Sequence, residues 1–144
     1  MKALFAVLVL VTVFASFDTL LMAQDNQGNI FVVTNFERAF PKDVSNRELD
    51  SLSALYSEKC FAQNEYIVSY KVIRHFWGRS NTDFIQMMEV KSWADIEKAN
   101  EKIDELFMKA WPTQQDRKKF NDAYNKYFTG KHSDEIYSEV VAPK

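Results

Sequence analysis

Apolar positions recur along this chain in two rhythms, and the places where one gives way to the other mark its elements. Ile30-Phe31-Val32-Val33-Thr34-Asn35-Phe36 is β-branched and aromatic and predicts a first strand. Pro41 and Asp43 mark a loop, after which Ser45 or Asn46 is placed to cap a helix. Leu49, Leu52, Tyr56 and Cys60 then recur at spacings of three and four, the period of one helix face, over about Arg47 to Ala62. Tyr66 to His75 and Phe84 to Lys91 predict two further strands. The short polar connection Phe76 to Asp83 should pair them as an antiparallel hairpin.

Ser92 stands as an N-cap, with Asp95 three positions on in a capping-box-like arrangement. Trp93, Ile96, Ile103, Phe107 and Ala110 form the apolar stripe of a second helix, which Pro112 ends because proline cannot continue it. Thr113 caps a third helical stretch with Phe120, Tyr124, Tyr127 and Phe128 on one face and Gly130 as its stop. A last strand is expected over Glu135 to Val141. The order is strand, helix, strand, strand, helix in two pieces, strand: the βαββαβ ferredoxin-like pattern, an α+β sandwich with its antiparallel sheet covered by helices on one face.

The second strand reads Tyr66, Val68, Tyr70, Val72 on one side and Ile67, Ser69, Lys71, Ile73, His75, Trp77 on the other, while the third carries Ile85 and Met87 opposite Phe84, Met88 and Val90. A sheet with one face in water alternates more cleanly than this. The second face is therefore expected to be covered. With no helix to spare, a second copy of the sheet is the simplest cover.

Composition narrows the setting. Met1-Lys2, the apolar run Ala3 to Phe17 and a short patch ending in Ala23 have signal-peptide architecture, with cleavage expected after Ala23. Asp18 interrupts the run short of the ~20 apolar residues that a spanning helix needs. The chain is thus expected to be exported, periplasmic or secreted, with residues 24–144 forming a single domain. The chain's twelve Phe, three of them in the expected leader, six Tyr and three Trp supply ample material for a core. The lone Cys60 cannot make an internal disulfide and is expected to be a buried apolar residue. A net charge of −2 gives no electrostatic case for nucleic acid. Two His and one Cys, widely spaced, make no metal site, and phosphate loops, dinucleotide fingerprints and nucleophile elbows are absent.

The element order, together with the aromatic end of the second strand, the polar turn and Met88-Glu89-Val90-Lys91-Ser92-Trp93 leading into a helix, resembles the dimeric α/β-barrel superfamily, in particular its antibiotic-biosynthesis monooxygenase-like and NIPSNAP-like small domains. The resemblance spans about Ile30 to Val141 and implies two ferredoxin-like domains packed sheet to sheet as a homodimer. Members include cofactor-free oxygenases, haem-degrading enzymes, isomerases and proteins of no known activity, so the fold alone does not choose among them. The haem-degrading branch uses an Asn on the first strand, a Trp in the pocket and a His on a helix. Asn35 and Trp77 or Trp93 match the first two loosely, but neither long helix carries a His, so no cofactor is expected.

The candidate site follows from the mixed face. His75 closes a strand beside Phe76-Trp77-Gly78, where a neutral imidazole serves as a general base. Lys71 and Glu89 form a cross-strand ion pair on the same face if the hairpin register sets them opposite. Asn35 would add an amide, and Trp77 and Arg79 a lid. The expected function is binding of a small apolar or aromatic molecule inside the barrel, with cofactor-independent oxygenation or isomerisation there. The alternative is a non-enzymatic dimeric interaction or stress-associated module whose sheet face is only an interface.

Overall fold

The computed structural model describes residues 28–40 and 45–141. The expected leader, 1–23, lies outside them. The described residues divide into two compact units, Asn29–Tyr137 and a smaller one of Gly28 with residues 138–141. In the smaller unit Gly28 lies so close to Glu139 that a Cβ at position 28 would fall 2.6 Å from the Glu139 Cβ, which only glycine avoids. The larger unit carries the fold.

Its elements are β1 (Ile30–Arg38), α1 (Asn46–Tyr56, continuing as a wider π-helical turn over Ser57–Phe61), β2 (Ile67–Arg74), β3 (Asp83–Val90), α2 (Trp93–Ala110), α3 (Gln114–Asn125) and β4 (Phe128–Ser138). The four strands form one antiparallel sheet in the order β2-β3-β1-β4, the ferredoxin-like arrangement. Among the described residues no helix is long and apolar enough to cross a membrane.

Local chemistry sets the helix starts. Ser45 caps α1, its side chain accepting from the Glu48 N–H, and Thr113 caps α3 by accepting from the Asp116 N–H at 3.1 Å. Ser92 precedes α2 in extended conformation, but its hydroxyl donates to the Asp95 carboxylate at 2.7 Å instead of capping a backbone N–H. The third helix ends at Asn125, earlier than the apolar spacing suggested. Tyr127 and Phe128 have left it, and Gly130, at φ +86°, lies inside β4 and does not end a helix. The last strand therefore starts at Phe128, seven residues before the expected Glu135.

The strands bury one face. Ile30, Phe84, Met88 and Val90 are fully or almost fully enclosed, and they pack with Leu49, Cys60, Ala99, Leu106, Phe120 and Tyr124 from the helices. Two core clusters result, one at each end of the sheet, and Tyr56, Phe107 and Trp111 flank both. Tyr56 is the hinge of this packing: its ring lies edge-on to Phe61 at 5.1 Å and to Phe107 at 6.1 Å, joining α1 to α2. Burying such side chains stabilises the fold by roughly 1.5–3 kcal/mol each. Cys60 is buried as expected, and burial pushes its thiol up to about 11, which leaves it protonated at neutral pH.

One detail of β2 departs from simple alternation. A register shift between Ile67 and Ser69 sets Ile67 against Val90 and turns Ile67 into the core, while Val68 is 46% exposed. Trp93, expected on the buried stripe of α2, stands at the helix start and is 59% exposed.

Candidate functional site

The sheet presents two contrasting surfaces, and the residues singled out from the sequence belong to the one that no described helix covers. On this open face the register produces cross-strand rows: Phe31, Glu89 and Ser69; Val33, Met87 and Lys71; Asn35, Ile85 and Ile73; and Glu37, Asp83 and His75. Asn35, Lys71, His75 and Glu89 thus do share a face. Lys71, however, stands opposite Met87, and it is Ser69 that faces Glu89. The Glu89 carboxylate accepts from the Ser69 hydroxyl and, at 2.6 Å, from the Asn29 amide. Those hydrogen bonds, with a smaller contribution from the Lys71 charge, hold its carboxyl below the usual carboxylate range.

His75 continues the β2–β3 ladder, its N–H donating to the Asp83 carbonyl at 3.0 Å. Its Nε2 is enclosed without a hydrogen-bond partner, and a Cβ on Gly78 would lie 3.2 Å from it, so the turn closes on the imidazole only because residue 78 is glycine at φ +139°. The Asn35 Oδ1 is likewise enclosed and unpartnered. Beyond the strand, Trp77 is 90% exposed and Arg79 is also exposed, so neither closes over the face.

Three cavities among the described residues lie on the opposite, helix-covered side. One of about 740 Å3 opens between the sheet, α2 and α3. Its walls are aromatic: Phe36 from β1, Tyr56 from α1, Phe107 from α2, Phe120 and Tyr124 from α3, and Phe128 from β4. Phe36 and Phe128 meet at 5.3 Å between ring centres, and Phe120 and Tyr124 stack at 5.7 Å. A smaller space of about 200 Å3 adjoins the same Tyr56 and Gln86 and is also lined by Tyr70, whose hydroxyl is buried without a partner. A third, of about 420 Å3, is lined by Asp50, Ser53 and Arg74, of which Arg74 and Asp50 form an ion pair. None of His75, Asn35, Lys71, Trp77, Arg79 and Glu89 lines any of these three spaces.

Polar groups converge on the aromatic cavity at few points. Gln86, from the helix-facing side of β3, donates through Nε2 to the Tyr124 hydroxyl at 3.0 Å and fixes that hydroxyl in place. Burial raises the pKa of Tyr124 and of Tyr56, so both are neutral hydroxyls at physiological pH. Asp104 from α2 and the amides Asn121 and Asn125 from α3 complete one wall, and Thr129, Gly130 and His132 from β4 the other. The arrangement suits a flat, largely apolar molecule held between rings and oriented by a few hydrogen bonds. Among the described residues no group of three or more His, Cys, Asp or Glu gathers as a metal site would need.

Sequence reasoning missed Gln86, Asp104 and His132 as cavity residues and took Tyr124 for core alone. Gln86 carried a signal, a polar residue between Phe84 and Met88 on the buried side of a strand. His132 carried none, because it precedes the last strand expected over Glu135 to Val141.

No known family's sequence pattern matches this chain, and no curated protein matches it in sequence. Solved structures do match in fold. A protein of Caulobacter crescentus, provisionally named an antibiotic biosynthesis monooxygenase, is similar over 81% of this chain and 93% of its own, with 14% identity and a TM-score of 0.52. One of Nitrosomonas europaea with the same provisional name aligns over 79% of this chain and 92% of its own at 10% identity and a TM-score of 0.52. A variant of SnoaB, a cofactor-independent oxygenase of Streptomyces nogalater, aligns over 79% and 95% at 11% identity and a TM-score of 0.50. At these identities the likeness is one of fold, and it is the fold that the sequence resemblance implied.

Proposed function

We propose that this chain binds a small aromatic or largely apolar molecule in the cavity between sheet and helices, as one half of a homodimer, and that the reaction class is cofactor-independent oxygenation or isomerisation of that molecule. The single observation carrying the binding site is the aromatic cavity itself. Its volume of about 740 Å3 lies within the usual ligand-pocket range of roughly 300–1,000 Å3, and polar groups from β3, α2, α3 and β4 stand among its aromatic walls. The reaction class draws support from the fold shared with SnoaB, described as a cofactor-independent oxygenase. The homodimer draws support from the open sheet face, where Val33, Ile85, Met87 and Ile73 form an apolar centre bordered by Lys71, Glu37, Asp83 and Glu89. Export completes the proposal, and N-terminal sequencing of the mature protein from its host checks it, with a start at Gln24 expected.

Calorimetric titration with 1-naphthol, a bicyclic aromatic alcohol, tests the site. The wild type should bind it, and Asn121→Trp, which fills the cavity from an exposed position on α3, should weaken binding about tenfold or more, while His75→Ala leaves it unchanged. Binding lost in His75→Ala but kept in Asn121→Trp would transfer the site to the sheet's open face. No binding by a dimeric wild type would favour a non-enzymatic interaction module.

A further inference from the structure

We propose that the cleft between α1 and the end of β2 is a second ligand site and that it takes a small organic carboxylate. Arg74 is its direct contact, and Arg38 is the fixed positive charge behind it. The inference does not depend on what the aromatic cavity holds, because the two spaces share no lining residue.

The first observation is a buried cation without a counter-ion. Arg38, the last residue of β1, is only 8% exposed, and among the described residues no carboxylate forms an ion pair with it. Its Nη2 donates to the Asn46 side-chain oxygen at 2.6 Å, and the centre of the Phe40 ring lies 4.9 Å from its guanidinium carbon. Its Nε is enclosed with no hydrogen-bond partner. Burial first, and then the like charge of Arg74, disfavour the charged form, and Asp50 offsets them only in part. A buried guanidinium is costly unless an anion accompanies it.

The second observation is where that anion fits. Arg38 and Arg74 end β1 and β2, the two strands that flank β3, and each reaches α1. Arg38 meets it at Asn46, and Arg74 meets it at Asp50, one helical turn further along the same face. Among the described residues Arg74 is engaged only through Nη1, which leaves the rest of its planar fork free. Two guanidinium groups therefore share one carboxylate, and the cluster keeps one positive charge. Glu48 does not neutralise it, since Lys126 at 2.7 Å and the Tyr127 hydroxyl already hold that carboxylate. A single carboxylate from outside balances the charge, and its two oxygens match the parallel N–H groups of a guanidinium.

The walls set the rest of the ligand. The cleft holds about 420 Å3, with Ala54, Val72 and Phe84 as apolar surface and Ser57 adding a hydroxyl. A short apolar body carrying the carboxylate uses these walls, whereas a bare inorganic anion leaves them unfilled. The side chains of Arg74 and Asp50 are 39% and 51% exposed, so a dissolved ligand can reach them.

The probe is butanoate, titrated into the full chain while the arginine Nε–H signals are followed by proton–nitrogen correlation NMR. The wild type should show a saturable shift of the Arg74 signal with a Kd of about 1 mM, and chloride at equal ionic strength should not reproduce it. Followed through the Arg38 signal, Arg74→Gln should weaken binding about tenfold. Asp50→Asn, which removes the competing carboxylate, should tighten it about threefold. Arg38→Met should weaken it as Arg74→Gln does, and if that buried substitution prevents folding, the two exposed variants decide. Asn121→Trp, which fills the aromatic cavity, should leave butanoate binding unchanged. No saturable shift in the wild type, equal binding in Arg74→Gln, or weaker binding in Asp50→Asn overturns the proposal. So does loss of binding in Asn121→Trp, which would move the anion into the aromatic cavity.

Discussion

The two faces of the sheet are built from the same strands and differ in what they ask of their residues. On the helix side Phe84 is 1% exposed and Val90 is fully buried, and the side chains are held by rings from α1, α2 and α3. On the open side their direct neighbours Ile85 and Glu89 are only partly covered, and polar residues such as Ser69 and Lys71 are interleaved with apolar ones. The first face combines a core with a cavity, whose walls are aromatic rings from β1, α1, α2, α3 and β4. The second mixes apolar and polar side chains along continuous cross-strand rows, as suits the proposed contact with a second copy of the sheet. The proposed ligand site and the proposed dimer contact thus fall on opposite sides of one sheet.

The largest expected difference lies between adjacent residues of β3. Phe84→Ala should lower unfolding free energy by about 3–5 kcal/mol, the range for a buried aromatic truncated in a packed core. Ile85→Ala should cost roughly 1 kcal/mol in dilute protein, since its side chain is already partly in water. Urea denaturation of both variants measures the gap, and equal costs would break the distinction between the faces.

A second, smaller effect sharpens the assignment of the open face. Ile85→Lys adds a charge at the centre of that face, two residues from Met87 and beside Asn35 and Ile73. Sedimentation equilibrium should find the wild type dimeric and the variant monomeric, with the far-ultraviolet circular dichroism unchanged. A variant that keeps the wild-type mass would put the dimer contact elsewhere.

The smallest effect is a pH dependence confined to the helix side. Glu48 on α1 accepts from Lys126 at 2.7 Å and from the Tyr127 hydroxyl at 2.5 Å, and these hydrogen bonds lower its pKa in the folded state. A carboxylate held below its unfolded value of about 4.3 contributes stability above that pH and loses it as pH falls through the folded value. Glu48→Gln should therefore flatten the acid limb of a stability-against-pH curve and leave the neutral limb almost parallel to the wild type. An acid limb identical to the wild type would remove this contact from the account.

Much of the architecture was legible in the chain because period and punctuation are local properties. The stripe Leu49, Leu52, Tyr56, Cys60, the break at Trp111-Pro112 and the cap residues Ser45 and Thr113 each act within a few neighbours. The start of β4 was not legible. Phe120, Tyr124, Tyr127 and Phe128 keep a helical spacing across the helix end, yet they reach the core from three places: Phe120 and Tyr124 from α3, Tyr127 from the turn after it and Phe128 from β4. That misplacement hid His132, which lines the cavity from β4. The hairpin register was hidden for another reason. A one-residue slip exchanges the faces and is forbidden by the apolar pattern, whereas a two-residue slip preserves them. Lys71 opposite Glu89 and Ser69 opposite Glu89 are thus equally consistent with the sequence, and the length and shape of the Phe76–Thr82 connection decide between them.

The sequence by itself determined the elements, their order and the side of each strand that is apolar, since these follow from side-chain alternation and from what glycine, proline and capping residues permit. Only the tertiary structure decided where the empty space lies. Cavities arise from the mismatch of rings contributed by five separate elements, Phe36, Tyr56, Phe107, Phe120 with Tyr124, and Phe128, and no local pattern encodes how closely such rings approach.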